Sequence, residues 1–515
     1  MSPIRPSRSL CFGRIALLGL VCVSLTACPD SWSRKSRSPV SAIWIGVESG
    51  RLEPSDAALL QTAGIEEAFV EMATLTPEAS EPIRRREQMP QELGLPVHLV
   101  VTGSPRLPAD EETLESLAET VAEAVRQLRF EAESRGWLVL GVCFDLEDTD
   151  LDRQATLLKE IRGSLDELFV SSTVRREQLT ADEDEIEALA SAVDFLIAEL
   201  YGQRPGQADV KEAWDLTKME KNIELLEELD VPYQVGVVTL GTASYASRKG
   251  AVKAQTTAMT MQQVMSDRSM RLRPGFALEG TDRRVYVLRA EAPARVNRWE
   301  LITGEMVRVV RAATYDLEEL HRLLSLWPTK HHLGQVYYRL PGPEEGLSLP
   351  VESLAGALDT SPATPELVLD VSVQRRVGRG WLVRFIIENL NREFTELSFT
   401  KYNYIEVRTA HGAFAAEQRP GDFYSYDLFL EREEGAEPKR TIRNPNLMRL
   451  QVPVLEADQR VSTGDILIQS RRLELSLEGR FLLPDGRVLD LGPAFFRDGE
   501  LTGKGIKGGS PADAS

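Results

Sequence analysis

The chain has 515 residues, 42% hydrophobic and 27% charged, a globular composition with room for two or three domains. Its 79 acidic residues outnumber the 60 basic ones, for a formal net charge of −19. So acidic a chain lacks the broad basic surface that neutralises phosphates, which argues against nucleic acid as a partner.

Met1–Arg14 carries Arg5, Arg8 and Arg14 and no acid, and Ile15–Leu25 is a short apolar run. A membrane span needs about 20 apolar residues, so this pattern predicts a secretory signal peptide over residues 1–27. It ends in Leu25-Thr26-Ala27-Cys28, which resembles the bacterial lipobox, where cleavage precedes a cysteine that is then lipidated. The expectation is an envelope protein held to a membrane, on the periplasmic or cell-surface side, through lipidated Cys28. The polar segment 28–40 reads as a flexible tether. Cys11, Cys22 and Cys28 all fall in this leader region, so Cys143 has no partner for a disulfide within the body.

Seven short apolar runs then alternate with helix-like segments. The strands predicted are Ala42–Val47, Ala68–Met72, Pro96–Val101, Trp137–Phe144, Leu168–Ser172, Val193–Leu200 and Val231–Leu240. The longest predicted helix is Asp110–Arg135, where apolar residues recur every three or four positions. Both Val285–Ala290 and Gly334–Leu340 could supply an eighth strand. The second is preferred, because Tyr315–Leu326 is a helix immediately before it and Leu349–Leu358 one after it. The fold predicted for residues 41–360 is therefore α/β, a TIM-like (β/α)8 barrel, with an insertion at about 242–313. Ser361–Pro365 reads as a hinge. Beyond it only strands are predicted, giving an all-β sandwich over 366–500 and a disordered tail over 501–515.

In such barrels the reacting groups sit at the C-terminal ends of the strands. Glu48, Glu71, Asp145, Glu147, Glu199, Tyr201, Tyr338 and Arg339 fall there. Alternation puts Cys143, Asp145 and Glu147 on one face, and Glu199 with Tyr201 on another. Adjacent carboxyls raise one another's pKa, which keeps one protonated for general-acid work. The alternative for this stretch is that Glu147 and Asp148 merely open the next loop, with Asp148 or Asp150 capping the following helix. The five histidines have no ligand spacing, and no P-loop, G-x-G-x-x-G or G-x-S-x-G occurs, so neither metal nor cofactor is indicated. Aromatics of the C-terminal region are expected to be mainly core; the exception is Phe423-Tyr424-Ser425-Tyr426, where alternation must expose one face that could stack on a sugar.

Gly141-Val142-Cys143-Phe144-Asp145-Leu146-Glu147 resembles the strand-four signature of chitinase-like glycosidases, in which Asp residues at alternate positions lead to the catalytic Glu. Asp145 and Glu147 match; Cys143 stands where that family has a further Asp, and Leu146 where it has an aromatic. The chain also resembles an uncharacterised bacterial barrel family, domain of unknown function 3142. The matching features are Gly141 with Asp145, Glu199-Leu200-Tyr201-Gly202, and Gln335-Val336-Tyr337-Tyr338-Arg339-Leu340-Pro341. The first resemblance implies a glycoside hydrolase acting on an envelope or extracellular glycan. Glu147 would be the general acid and Asp145 its partner, with Glu48, Glu71, Glu199, Tyr201 and Arg339 around the substrate. The alternative is a non-catalytic lipoprotein that binds a saccharide or another envelope protein.

Overall fold

The computed structural model describes residues 40–503 apart from 48, 50–51, 77–82, 86–92, 148, 181–182, 201–215, 274–275, 278–283, 313, 328, 359–363, 379, 392, 399–400, 433–436, 484–485 and 498. Eight parallel strands form a closed ring: β1 (Ser41–Ile45), β2 (Ile65–Leu75), β3 (Val97–Gly103), β4 (Val139–Leu146), β5 (Phe169–Arg175), β6 (Phe195–Glu199), β7 (Tyr233–Val238) and β8 (His332–Tyr338). Each pairs with the next, and β8 closes on β1 with Ala42 opposite Val336. The eighth strand is thus the preferred candidate, and Arg284–Ala290 belongs to the insertion.

The ring separates two apolar layers, as a strand buried on both faces requires. Ala42, Trp44, Phe69, Val100, Cys143, Phe195, Ile197, Leu333 and Val336 pack together inside it. Residues of the other parity, such as Val142, Phe144, Val170, Val235 and Val237, join the helices in the outer core. The long helix spans Glu111–Ser134 and buries Leu114, Val121, Val125 and Leu128; the Asp110 carboxylate caps it by accepting from the Thr113 N–H at 2.9 Å. Asp150 does the same for Leu151–Ser164 through the Arg153 N–H at 3.1 Å. No helix is described between β2 and β3, where the short strand Ile83–Arg85 folds back on β2.

Gly141 shows why one residue type is demanded on β4. A Cβ there would lie 2.5 Å from the Phe169 carbonyl oxygen and 2.7 Å from His98 Nδ1. Inside the ring His98 stacks on Phe69, its Nε2 3.1 Å from the Glu67 carboxylate.

After β7 the insertion forms an antiparallel sheet that includes Thr242–Ala246, Val252–Thr256, Arg284–Ala290 and Met306–Val310, with the short helix Met261–Met265. Its own apolar core takes in Leu347, Leu397 and Val454 from later in the chain. From Leu367 onward two antiparallel sheets, of five and seven strands, enclose one core containing Leu369, Phe385, Val407, Leu450, Leu477 and Phe481. The sequence reading overlooked Leu447–Gln451, which lies between Ser425–Leu430 and Tyr404–Thr409 in the larger sheet. The tail assignment is corrected at its start: Glu500–Gly503 is a strand paired with Val488–Arg497, and 504–515 lie outside the described residues.

Where the barrel's last helix, Val351–Leu358, meets the strands that follow, the Ser353 hydroxyl donates to buried Glu393. Burial pushes the Glu393 carboxyl up to about 7; the Ser353 bond and Arg311 oppose the shift and Glu352 adds to it. Arg311 is itself buried, stacked over the Phe394 ring at 3.2 Å. Among the described residues no helix is long and apolar enough to cross a membrane.

Candidate active site

The C-terminal ends of the strands carry a band of polar side chains above the aromatic interior. Cys143 is fully buried in the inner cluster, so Asp145, two residues on, rises from the same inner face at the mouth. Its Oδ1 accepts from the Thr173 hydroxyl at 2.8 Å. On its other side Thr102 is its register partner on β3, and the Thr102 hydroxyl donates to Glu71 Oε1 at 3.2 Å. Glu71 Oε2 accepts from the Val47 N–H at 3.0 Å, which ties the loop after β1 to β2. Arg175 ends β5 beside Glu199, the last residue of β6.

Glu147 is exposed in the turn just past β4, and its N–H donates to the Gly103 carbonyl at 2.7 Å. It therefore sits on the rim, while Asp145 is half-buried below it. Burial pushes the Asp145 carboxyl up to about 6. The Thr173 hydroxyl opposes that shift, the charges of Glu147 and Glu71 add to it, and Arg175 opposes it. Tyr338, stacked obliquely on Trp44, is raised by burial, with Asp145, Glu199 and Glu71 adding to the shift and Arg339 opposing it. Asp145, Glu71, Glu199 and Tyr338 are thus near enough at this end of the ring to influence one another's charge.

Arg339 requires a correction. It was expected to meet substrate, yet it is 6% exposed and gives both terminal nitrogens to Glu345, itself 4% exposed: Nη1 to Oε2 at 3.0 Å and Nη2 to Oε1 at 2.8 Å. The fork is spent on the loop after β8, where the Gly342 N–H also binds Glu345 at 2.8 Å. Arg339 still flanks the mouth, since a Cβ on Gly46 would lie 3.0 Å from its Cδ and 3.4 Å from Glu71 Oε2. Glu48, Tyr201 and Cys28 lie outside the described residues.

The sequence reading passed over Thr173 and Arg175. Both alternate with Phe169 and Ser171 on β5, and extending the predicted strand Leu168–Ser172 by three residues would have brought them to the mouth. A cavity of about 600 Å³ lies elsewhere, among Arg311, Leu340, Glu345, Phe394 and Glu456, and none of the expected site residues that the structure describes lines it. No group of three or more His, Cys, Asp or Glu among the described residues is placed to hold a metal ion.

No family model matches the sequence, so the likeness to domain of unknown function 3142 rests on the motifs alone. No curated protein matches it either. Solved structures similar to the chain include a chitinase from Chromobacterium violaceum ATCC 12472, 14% identical over 63% of this chain and 99% of that one, with a TM-score of 0.42. The Bacillus cereus spore cortex-lytic enzyme SleL is 12% identical over 64% and 75%, TM-score 0.40. A chitinase from Bacteroides thetaiotaomicron is 8% identical over 63% and 96%, TM-score 0.39. At these identities the geometry of the mouth, and not the likenesses, has to carry any assignment of function.

Proposed function

We propose that the barrel is a glycosidase-like enzyme acting on an envelope or extracellular glycan, with Glu147 as the general acid and Asp145 as its partner. The carrying observation is geometric: Glu147 on the rim and Asp145 half-buried below it stand two residues apart at the C-terminal end of β4 in a closed barrel, close enough that the charge of Glu147 adds to the upward shift of the Asp145 carboxyl. Hydrolysis needs a proton for the leaving oxygen as the glycosidic C–O bond breaks, and Glu147 supplies it. Water then adds to the anomeric carbon and returns a proton to Glu147. In a chitinase-like course the substrate's own acetamido oxygen attacks first, and Asp145 orients it. Glu199 and Arg175, register partners at the same end of the ring, would hold sugar hydroxyls in this reading.

The lipobox supports a place in the cell envelope, with Cys28 carrying the lipid. One observation favours a second reading, a non-catalytic saccharide-binding barrel. Where the chitinase-like signature has a further acid, this chain has Cys143, sealed among Phe69, Val100 and Trp44.

Glu147→Gln separates the two. Against a panel of N-acetylglucosamine oligomers and murein fragments, an enzyme should lose turnover by about 100-fold or more while still binding, because shape is kept and the proton is gone. A wild type without turnover on any of them, in which the substitution alters affinity alone, would identify a binding protein.

A further inference from the structure

Beside the mouth, the segments that leave β3 and β4 wall a second pocket of about 340 Å³, lined by Ser104, Arg106, Leu107, Thr149, Asp150 and Arg153. It adjoins the rim directly. Ser104 follows Gly103, whose carbonyl accepts the Glu147 N–H at 2.7 Å, and Thr149 lies two residues after Glu147, at most about 7 Å along the chain.

The pocket is cationic in a chain that is strongly acidic. Arg106 is exposed and has no protein partner among the described residues. Arg153 is half-buried and held in place by its Nη1, 3.4 Å from the Leu107 and Pro108 carbonyls, which leaves its Nε and Nη2 without a protein partner. Among the described lining residues the one carboxylate, Asp150, is engaged as the helix cap through the Arg153 N–H. Neither guanidinium makes an ion pair with a described residue, so the pair presents open forks of the kind that take an oxyanion bidentately. Thr149 uses its hydroxyl proton on Gln154 Oε1 at 2.7 Å, and the exposed Ser104 hydroxyl adds a neutral donor. The volume matches the lower end of small-molecule pockets, roughly 300 Å³, enough for one substituted sugar residue.

We infer that this pocket is a subsite for an anionic sugar, one bearing a carboxylate or a phosphate ester, next to the bond cleaved at Glu147. The inference rests on the glycosidase reading of Glu147 and gives it a substrate class: an acidic glycan, not a neutral one. The arginines bring an anionic substituent to a rim otherwise rich in carboxylates, where an unpaired negative group would be repelled.

The test needs no turnover. The full-length protein, labelled with ¹⁵N at arginine, is titrated with glucuronate, glucose 6-phosphate and glucose while the side-chain Nε–H signals of Arg106 and Arg153 are followed. Arg106 is exposed and unbonded, so Arg106→Glu should keep the fold, as circular dichroism will check. At least one of the two acids should shift both signals and bind about tenfold more tightly than glucose, the worth of one charge-assisted contact, with affinity falling as salt rises. Arg106→Glu should abolish that preference. Which acid binds separates carboxylate from phosphate recognition. Equal binding of glucose, no shift with either acid at about 10 mM, or an unchanged preference in Arg106→Glu overturns the inference. Those results leave the Glu147→Gln outcome untouched. Conversely, an acid-selective pocket in a protein whose turnover ignores Glu147→Gln overturns the catalytic reading and the subsite role with it.

Discussion

Arg339 and Glu345 form a two-pronged buried ion pair, 2.8 and 3.0 Å between partners, that fixes the exit of β8. A guanidinium with its counter-charge removed inside a protein is costly, even where other contacts remain. Glu345→Gln should therefore lower stability by about 3 kcal/mol in chemical denaturation. Arg339→Met added to it should recover part of that loss. A Glu345→Gln protein as stable as the wild type would return Arg339 to the list of groups available to substrate.

The Asp145 carboxyl should titrate near 6, and its neighbours predict how it moves. Thr173→Val removes a bond to the ionised form, so the value should rise. Glu147→Gln removes a nearby negative charge, so it should fall. Carboxyl ¹³C NMR on aspartate-labelled protein reads both shifts. Movement of both in the same direction would mean that the two neighbours do not act on Asp145 as the structure places them.

Glu393 makes stability depend on pH. Its folded-state value of about 7 lies above that of an unfolded glutamate, so the native protein binds the extra proton between roughly pH 4.5 and 7. Its contribution is complete below that window and is lost as pH rises through it. Glu393→Gln should flatten this decline and stabilise the protein at pH 8 by on the order of 2 kcal/mol. Denaturation midpoints measured from pH 4.5 to 8 on both proteins provide the check.

Cys28→Ala should block lipid attachment. The wild type should partition into detergent and show an acylated N-terminal cysteine by mass spectrometry, and the variant should do neither. An unmodified wild-type N-terminus beginning at another residue would remove the anchor.

Much of the barrel could be read from sequence because each parallel strand is buried on both faces and so reads as a short apolar run between amphipathic helices. Parity on β4 was also legible: Cys143 lies inside the ring, Phe144 outside, and Asp145 at the mouth. What escaped was polar sequence used as strand. Leu447–Gln451 carries Arg449 in mid-strand, which looks like a loop until Glu406 opposite it supplies the partner, at 2.6 Å. Thr173 and Arg175 were missed for the same reason. That Arg339 is already occupied was not visible either, because Glu345 is only one of many acids nearby in sequence and its burial is a tertiary fact.

The ring is closed by its first strand against its last, Ala42 beside Val336, with the whole insertion lying between β7 and β8. A ribosome releases β1 early and must deliver nearly all of the barrel before β1 meets its second neighbour. Lengthening the intervening chain adds little entropy cost, about 0.6 kcal/mol per doubling, but the contact is among the most distant the fold contains. Until it forms, β1 is paired with β2 alone and its other edge stands open, with Ile43 and Ile45 still short of their final packing. The edge of β1 that later meets β8 is therefore the last edge of the ring to be covered as the chain is made.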